Sequence, residues 1–371
     1  MSSLSYRPIP NPQQYVQETQ RTRINLGLRP FMLVILLGLL LAIFLLSVSV
    51  GSVSIPFDQV ITILLGGEGE RASWEQIIFN FRLPKATTAL LAGSALGVSG
   101  LMMQTFFRNP LAGPFVLGIS SGASLGVALV VLASGSVGGA LMAGFGLSGD
   151  LLLAGASALG AGLTMLIVLL VAHRVQDSMT LLILGLMIGQ FVTAFVSLLL
   201  YFAVPERIQA YINWTFGTFS GVTWNQMPIL AGATFIGLVM ALLLIKSLNA
   251  LLLGEHYARS LGMNVQHTRL LIVSATALLA GVVTAFCGPI GFLGIAVPHL
   301  CRSLFNTSDH RVLVPGTMLM GAIVSIVASL IAEVPGHSLV LPLNAVTALI
   351  GAPVVILVVL RQRNVRQSFA S

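Results

Sequence analysis

Six histidines, two cysteines and eleven carboxylates are the side chains here that could hold a metal, move a proton or attack a carbon. His173, His256, His267, His299, His310 and His337 stand well apart, mostly at the ends of apolar runs. That spacing argues against a metal cage, and no HExxH occurs. Each reads as an interfacial or hydrogen-bonded histidine. Cys287 and Cys301 lie in or beside apolar runs without metal-type spacing, so two buried free thiols are expected. Carboxylates are scarce in the apolar runs, with Glu333 near the end of one, whereas a proton-coupled carrier needs intramembrane acids. No nucleophile stands with a base. No GxxxxGK[ST] occurs, so nucleotide phosphates cannot be cradled in that manner. The chain therefore reads as a non-enzyme holding no metal. A transport protein of this kind is a channel, a facilitator, or a subunit driven by a partner.

The elements around these residues are apolar. Of 371 residues, 56% are hydrophobic and 8% charged, with mean hydropathy +0.97. A soluble domain carries roughly 25% charged residues, so the composition is that of an integral membrane protein. The net charge of +7 does not point to nucleic acid, because the basic residues sit between apolar runs. Runs of spanning length fall at about 30–52, 84–106, 112–133, 150–172, 179–204, 227–246, 268–288, 291–305, 312–333 and 341–361. This predicts an all-α polytopic protein of about ten spans. The run at 291–305 is short and carries Pro298, which suggests a half-helix or a tilted one. Residues 54–81 are too polar to span and read as an external loop. A short interfacial helix is expected near Glu206–Phe219. The expected layout is an N-terminal arm at 1–29, a transmembrane domain at 30–363 and a tail at 364–371. The first apolar run is too long for a cleavable signal and reads as an uncleaved span.

Basic residues set the orientation. With the N-terminus inside, only Arg71, Arg82, Lys85 and Arg207 of the 18 Lys and Arg fall outside. Both termini are then expected in the cytoplasm. So is the polar island Asn249–Asn264, NALLLGEHYARSLGMN. Gly254 and Gly262 punctuate it, predicting one short helix that ends at Gly254 and another over 255–261. Leu253, Tyr257 and Leu261 share a face, while Glu255 and Arg259 pair four residues apart on the other. Such a segment either rests on its own protein or the lipid surface, or docks a soluble partner.

Small residues crowd several spans, among them Gly93, Gly97, Gly100, Gly122, Gly126, Gly155, Gly160 and Gly162, as helices need for close approach in lipid. Breaks at Pro110, Pro114, Gly288-Pro289, Pro298 and Pro353 favour a transport pathway over a simple anchor.

Six ordered motifs carry a resemblance. RLPK at Arg82–Lys85 precedes GLMMQTFFRNPLAGPFVLGISSGASLG (Gly100–Gly126). LGEHYARSLG follows, then GPIGFLGIAVPHLCR (Gly288–Arg302), DHRVLVPG (Asp309–Gly316) and LIGAPVVILVV (Leu349–Val359). Together they resemble the FecCD-type permease of type II ABC importers. The resemblance implies a ten-span all-helical permease in the bacterial cytoplasmic membrane. Its implied partners are a second permease subunit, identical or paralogous, two cytoplasmic ATPases that hold the ATP and Mg, and an external substrate-binding protein. No cofactor of its own is implied, and substrates of the class are ferric siderophores, haem or cobalamin.

The resemblance also assigns roles. Leu253, Gly254, Glu255, Ala258, Arg259, Leu261 and Gly262 match paired coupling helices that seat on the ATPase. Asn109 and Leu111 match a cytoplasmic gate loop, and Ser178 its partner. Arg82 and Lys85 match an external basic pair that meets acidic residues of the binding protein, as rim charges that set register and on-rate. Arg207 joins them by position alone. Near Glu333 some relatives carry a further arginine, whereas this chain has Ala332-Glu333-Val334. The expected function is import of a ferric siderophore or similar iron complex by alternating access. Cobalamin or haem import is the alternative within the class, and a secondary carrier or channel is the distant one.

Overall fold

The computed structural model describes residues 12–51, 53–133, 149–175, 177–333 and 340–368; Val334 and His337 lie outside this set. The described residues hold helices and no strand. In chain order these are α1 (Pro12–Ser49), α2 (Phe57–Leu64), α3 (Ala72–Phe106), α4 (Ile119–Ala133), α5 (Gly149–Arg174), α6 (Ser178–Tyr201) and α7 (Pro205–Thr215). Then come α8 (Met227–Leu243), α9 (Ile245–Leu252), α10 (Glu255–Ser260), α11 (Val265–Cys287), α12 (Leu293–Phe305), α13 (His310–Ala332) and α14 (Leu343–Ser368).

Among the described residues six helices are long and apolar enough to cross a membrane, and α8 with α9, bent by 52°, makes a seventh if the pair is one span. Three shorter apolar helices, in α4, α12 and α14, fall on the remaining expected spans. At 13 residues α12 is only about 20 Å long, the short span that its Pro298 suggested. The short helix expected near Glu206–Phe219 appears as α7. Helix α1 runs without a break across the arm boundary at 29.

Residues 54–81 are not the loop expected. Val60 and Ile63 bury one face of α2, and α3 starts at Ala72, burying Trp74 and Ile78 against Val48 and Ile55. A π-helical turn at Ile78–Arg82 interrupts α3. Pro84 has no N–H to donate, and the Leu83 amide reaches Ile78 O, five residues back. This bypasses the Phe79 carbonyl, and the Trp224 indole donates to it at 2.6 Å.

Helix α3 is the axis of the bundle, and small residues explain how. A Cβ on Gly93 would lie 2.1 Å from Gly321 O on α13, and one on Gly100 would lie 1.7 Å from Gly294 O on α12. The Gly294 carbonyl is the one left without its helical donor by Pro298, so the same proline both breaks α12 and frees an oxygen for the approach of α3. Helices α4 and α5 meet likewise at Gly126 and Ala156, where a Cβ would sit 2.0 Å from the carbonyl. Ser94 Oγ donates to Met318 O at 2.9 Å, a side-chain hydrogen bond across the α3–α13 contact. Gly155 and Gly162 on α5 face open space instead.

Candidate coupling segment and gates

The polar island folds as two short helices joined at Gly254. Leu248 and Leu251 bury one face of α9. The chain then turns at Gly254 (φ +107°, ψ 153°), a conformation only glycine adopts freely. Helix α10 ends in a Schellman motif. Gly262 (φ +81°) donates to Arg259 O at 2.9 Å, and Met263 donates to Ala258 O at 3.1 Å. Both glycine stops were legible in the sequence. What is new is the 52° bend at Leu244, which starts the segment from a continuous span.

Ala258 is fully buried against the bundle, which fixes the face α10 turns outward. Leu253, Tyr257 and Leu261 are 63%, 53% and 63% exposed. The expected Glu255–Arg259 pair forms, with Arg259 Nη2 3.6 Å from Glu255 Oε2.

A half-buried polar junction, with His310 fully buried, roots α9 in the bundle. Asn249 Nδ2 donates to Asp309 Oδ1 at 2.7 Å, and Asn249 Oδ1 accepts from the His310 amide at 2.9 Å. The His310 ring lies 2.8 Å from both Asn249 Oδ1 and Thr105 Oγ1. His299 Nε2 lies 2.8 Å from Pro110 O. These two histidines are hydrogen-bonded packing residues, as their spacing suggested. Among the described residues no cluster of His, Cys, Asp or Glu could hold a metal. Cys287 and Cys301 are buried free thiols.

The expected gate residues lie in two turns. Asn109 Oδ1 accepts the Leu111 amide at 2.9 Å, closing a turn after α3 in which Arg108 has φ +47° and Leu111 is 47% exposed. Ser178 opens α6 directly after its N-cap, Asp177, which accepts from the Thr180 amide at 2.7 Å and its hydroxyl at 2.8 Å. Those bonds hold the Asp177 carboxyl below the ordinary carboxylate range, the amide contributing most.

The three cations expected outside, Arg82, Lys85 and Arg207, differ from exposed rim charges. Arg82 is buried, and its guanidinium donates to Val48 O (3.0 Å), Ser49 O (2.7 Å) and Val53 O. It caps the C-terminal end of α1, where a cation also suits the helix dipole. Arg207 does the same for α4, donating to Leu132 O at 2.6 Å. Lys85 is ion-paired with Glu333 at the end of α13, so this acid neutralises a neighbour. Sequence alone could not separate these uses, because each acceptor lies tens to hundreds of residues away. It also passed over Gln104, whose amide donates to Ile295 O at 3.1 Å and whose Oε1 accepts from Arg302 at 2.5 Å.

The model of the FecCD transport family matches residues 39–361. The vitamin B12 import system permease protein BtuC of Salmonella paratyphi A is 36% identical over 300 residues, covering 80% of this chain and 87% of that protein. That of Salmonella typhimurium is equally similar. A metal-chelate type ABC transporter solved in an inward-facing conformation superposes with a TM-score of 0.77 at 28% identity, over 90% of this chain and 99% of its own. The helical bundle thus has a shared architecture, and the chain belongs to the FecCD transport family, as an ABC importer permease with the type II fold.

Proposed function

We propose that this chain and a second permease subunit form the translocation pathway of an importer for a bulky metal chelate, a ferric siderophore. Two cytoplasmic ATPases drive it, and an external binding protein delivers the chelate. The observation that carries this reading is the exposed apolar face of Leu253, Tyr257 and Leu261 on a segment rooted in the bundle. A chain without a phosphate-binding loop needs an outside motor, and an exposed apolar face with an aromatic anchor suits its seat. The bias of basic residues supports a cytoplasmic location for the segment and both termini. ATP binding closes the ATPase pair, the coupling helices carry that motion inward, and the gates at Asn109, Leu111 and Ser178 and on the opposite side exchange states. The partner shifts this equilibrium only through different contacts in the two states. No bond in the chelate changes.

External docking rests on Lys85 less than a bare charge would, since Glu333 shares it. The similarity to vitamin B12 permeases favours a second reading, in which the chelate is cobalamin. Mass spectrometry of the ligand held by the cognate binding protein decides between the two. Proteoliposomes holding permease, ATPase and binding protein should take up that ligand only with ATP. Uptake driven by a proton or sodium gradient without the ATPase would overturn the reading.

A further inference from the structure

Behind the coupling face lies a buried cation that neither the bundle nor the docking surface explains. Arg269 sits in the second turn of α11 and is 3% exposed. A guanidinium near a helix N-terminus opposes the helix dipole, and burying it is costly unless its surroundings compensate. Three contacts do so. Arg269 Nη1 donates to Val175 O at 2.5 Å, Arg269 Nη2 lies 3.6 Å from Glu255 Oε1, and the guanidinium sits 5.8 Å from the Phe106 ring centre. Each belongs to a different piece. Val175 is in the linker to Ser178, Glu255 opens α10, and Phe106 ends α3 just ahead of Asn109. One side chain therefore touches the coupling helix and both segments that lead to the gate turns.

The Glu255 contact is slack. At 3.6 Å it is longer than the roughly 2.7–2.9 Å of a charge-assisted hydrogen bond. Glu255 Oε1 is buried and accepts no hydrogen bond, a state that a small shift would relieve. Arg269 itself has room to shift. A cavity of about 360 Å³ separates the end of α5 from the start of α11, lined among others by His173, Arg174, Arg259, Met263 and Arg269.

We propose that Arg269 is the positioning residue that carries movement of α10 to both gate turns. Glu255 closes onto its guanidinium in one state of the cycle and withdraws in the other, a travel of about 1 Å or less. This differential contact lets an ATPase seated on α10 bias the gates. The proposal rests on the assignment of the coupling and gate residues made above.

The test uses the full complex with its ATPase and binding protein in proteoliposomes, with Met179→Cys as a labelling site. Met179 is exposed beside Ser178, and both native cysteines are buried. Arg269→Lys keeps the charge and loses the planar fork. We expect it to assemble and hydrolyse ATP within about threefold of wild type, while uptake per ATP falls tenfold or more. The ATP-dependent change in maleimide labelling at position 179 should vanish as well. A purely structural role would lower assembly and both rates together with their ratio unchanged, and that result overturns the proposal. Should Arg269→Lys fail to fold, Glu255→Gln reads the same ratio from the other partner, with an unchanged ratio again overturning it. Absence of ATP-dependent uptake in the wild-type complex would instead count against the function proposed above.

Discussion

Arg82 reaches back 34 residues to donate to the carbonyl of Val48 at 3.0 Å. The end of the first span is thus closed by a side chain from the π-helical turn within α3, the second helix of spanning length. Hydrogen bonds from a charged donor are each worth about 1.5–3 kcal/mol. Arg82→Ala should therefore lower thermal stability by several kcal/mol and speed proteolysis near residues 50–53. An Arg82→Ala protein of unchanged stability with weakened binding-protein affinity would instead favour the docking role for this residue.

The contact of α3 with α12 tolerates no side chain. Gly100→Ala places a methyl 1.7 Å from Gly294 O, backbone that cannot turn aside. Overpacking of this kind should cost more than about 3 kcal/mol. Gly155→Ala, which faces open space, should be neutral within about 0.5 kcal/mol. Melting temperatures of the two variants in the same detergent make the comparison.

The two glycines of the coupling segment differ in what they demand. Gly254→Ala forces a side chain into a region costing about 1–3 kcal/mol. A Cβ on Gly262 meets no atom within 4 Å, so only its left-handed backbone resists substitution. Asparagine tolerates that conformation, so Gly262→Asn should keep near-wild-type stability and Gly262→Val should not. Equal losses in both would contradict the Schellman assignment.

If Leu253, Tyr257 and Leu261 seat on the ATPase, a charge there should break assembly without unfolding the permease. Tyr257→Asp is expected to leave the melting temperature unchanged and weaken co-purification with the ATPase at least 30-fold, the equivalent of about 2 kcal/mol at an aromatic anchor. Retained assembly would return the face to the lipid surface or to this chain's own bundle.

Asp177 gives a pH dependence with a definite sign. Its folded value lies below the ordinary 3.8, so its cap is complete above that pH and is lost as pH falls through the lowered value. Amide protection at Thr180, corrected for intrinsic exchange, should be constant from neutral pH to the ordinary value and fall below it. Asp177→Asn should keep the cap and abolish the dependence. A titration of Thr180 protection near neutral pH would contradict this.

Local signals carried much of the protein. Hydropathy alone placed the ten apolar helices, because lipid demands a continuous apolar run for each. Gly254 and Gly262 marked the two stops of the coupling segment, because a left-handed turn selects glycine wherever it occurs. The absence of a phosphate loop and the ordered motifs identified the family. The tertiary structure decided the rest, and always for the same reason: the partner is distant in sequence. Arg82 and Lys85 are three residues apart and look alike on paper. One is buried among carbonyls of α1, while the other answers Glu333, hundreds of residues later. Arg269 passed as one more inward charge until the fold brought Val175, Glu255 and Phe106 around it. Composition fixes which residues must leave lipid. Only packing says which carbonyl, carboxylate or ring each cation then meets.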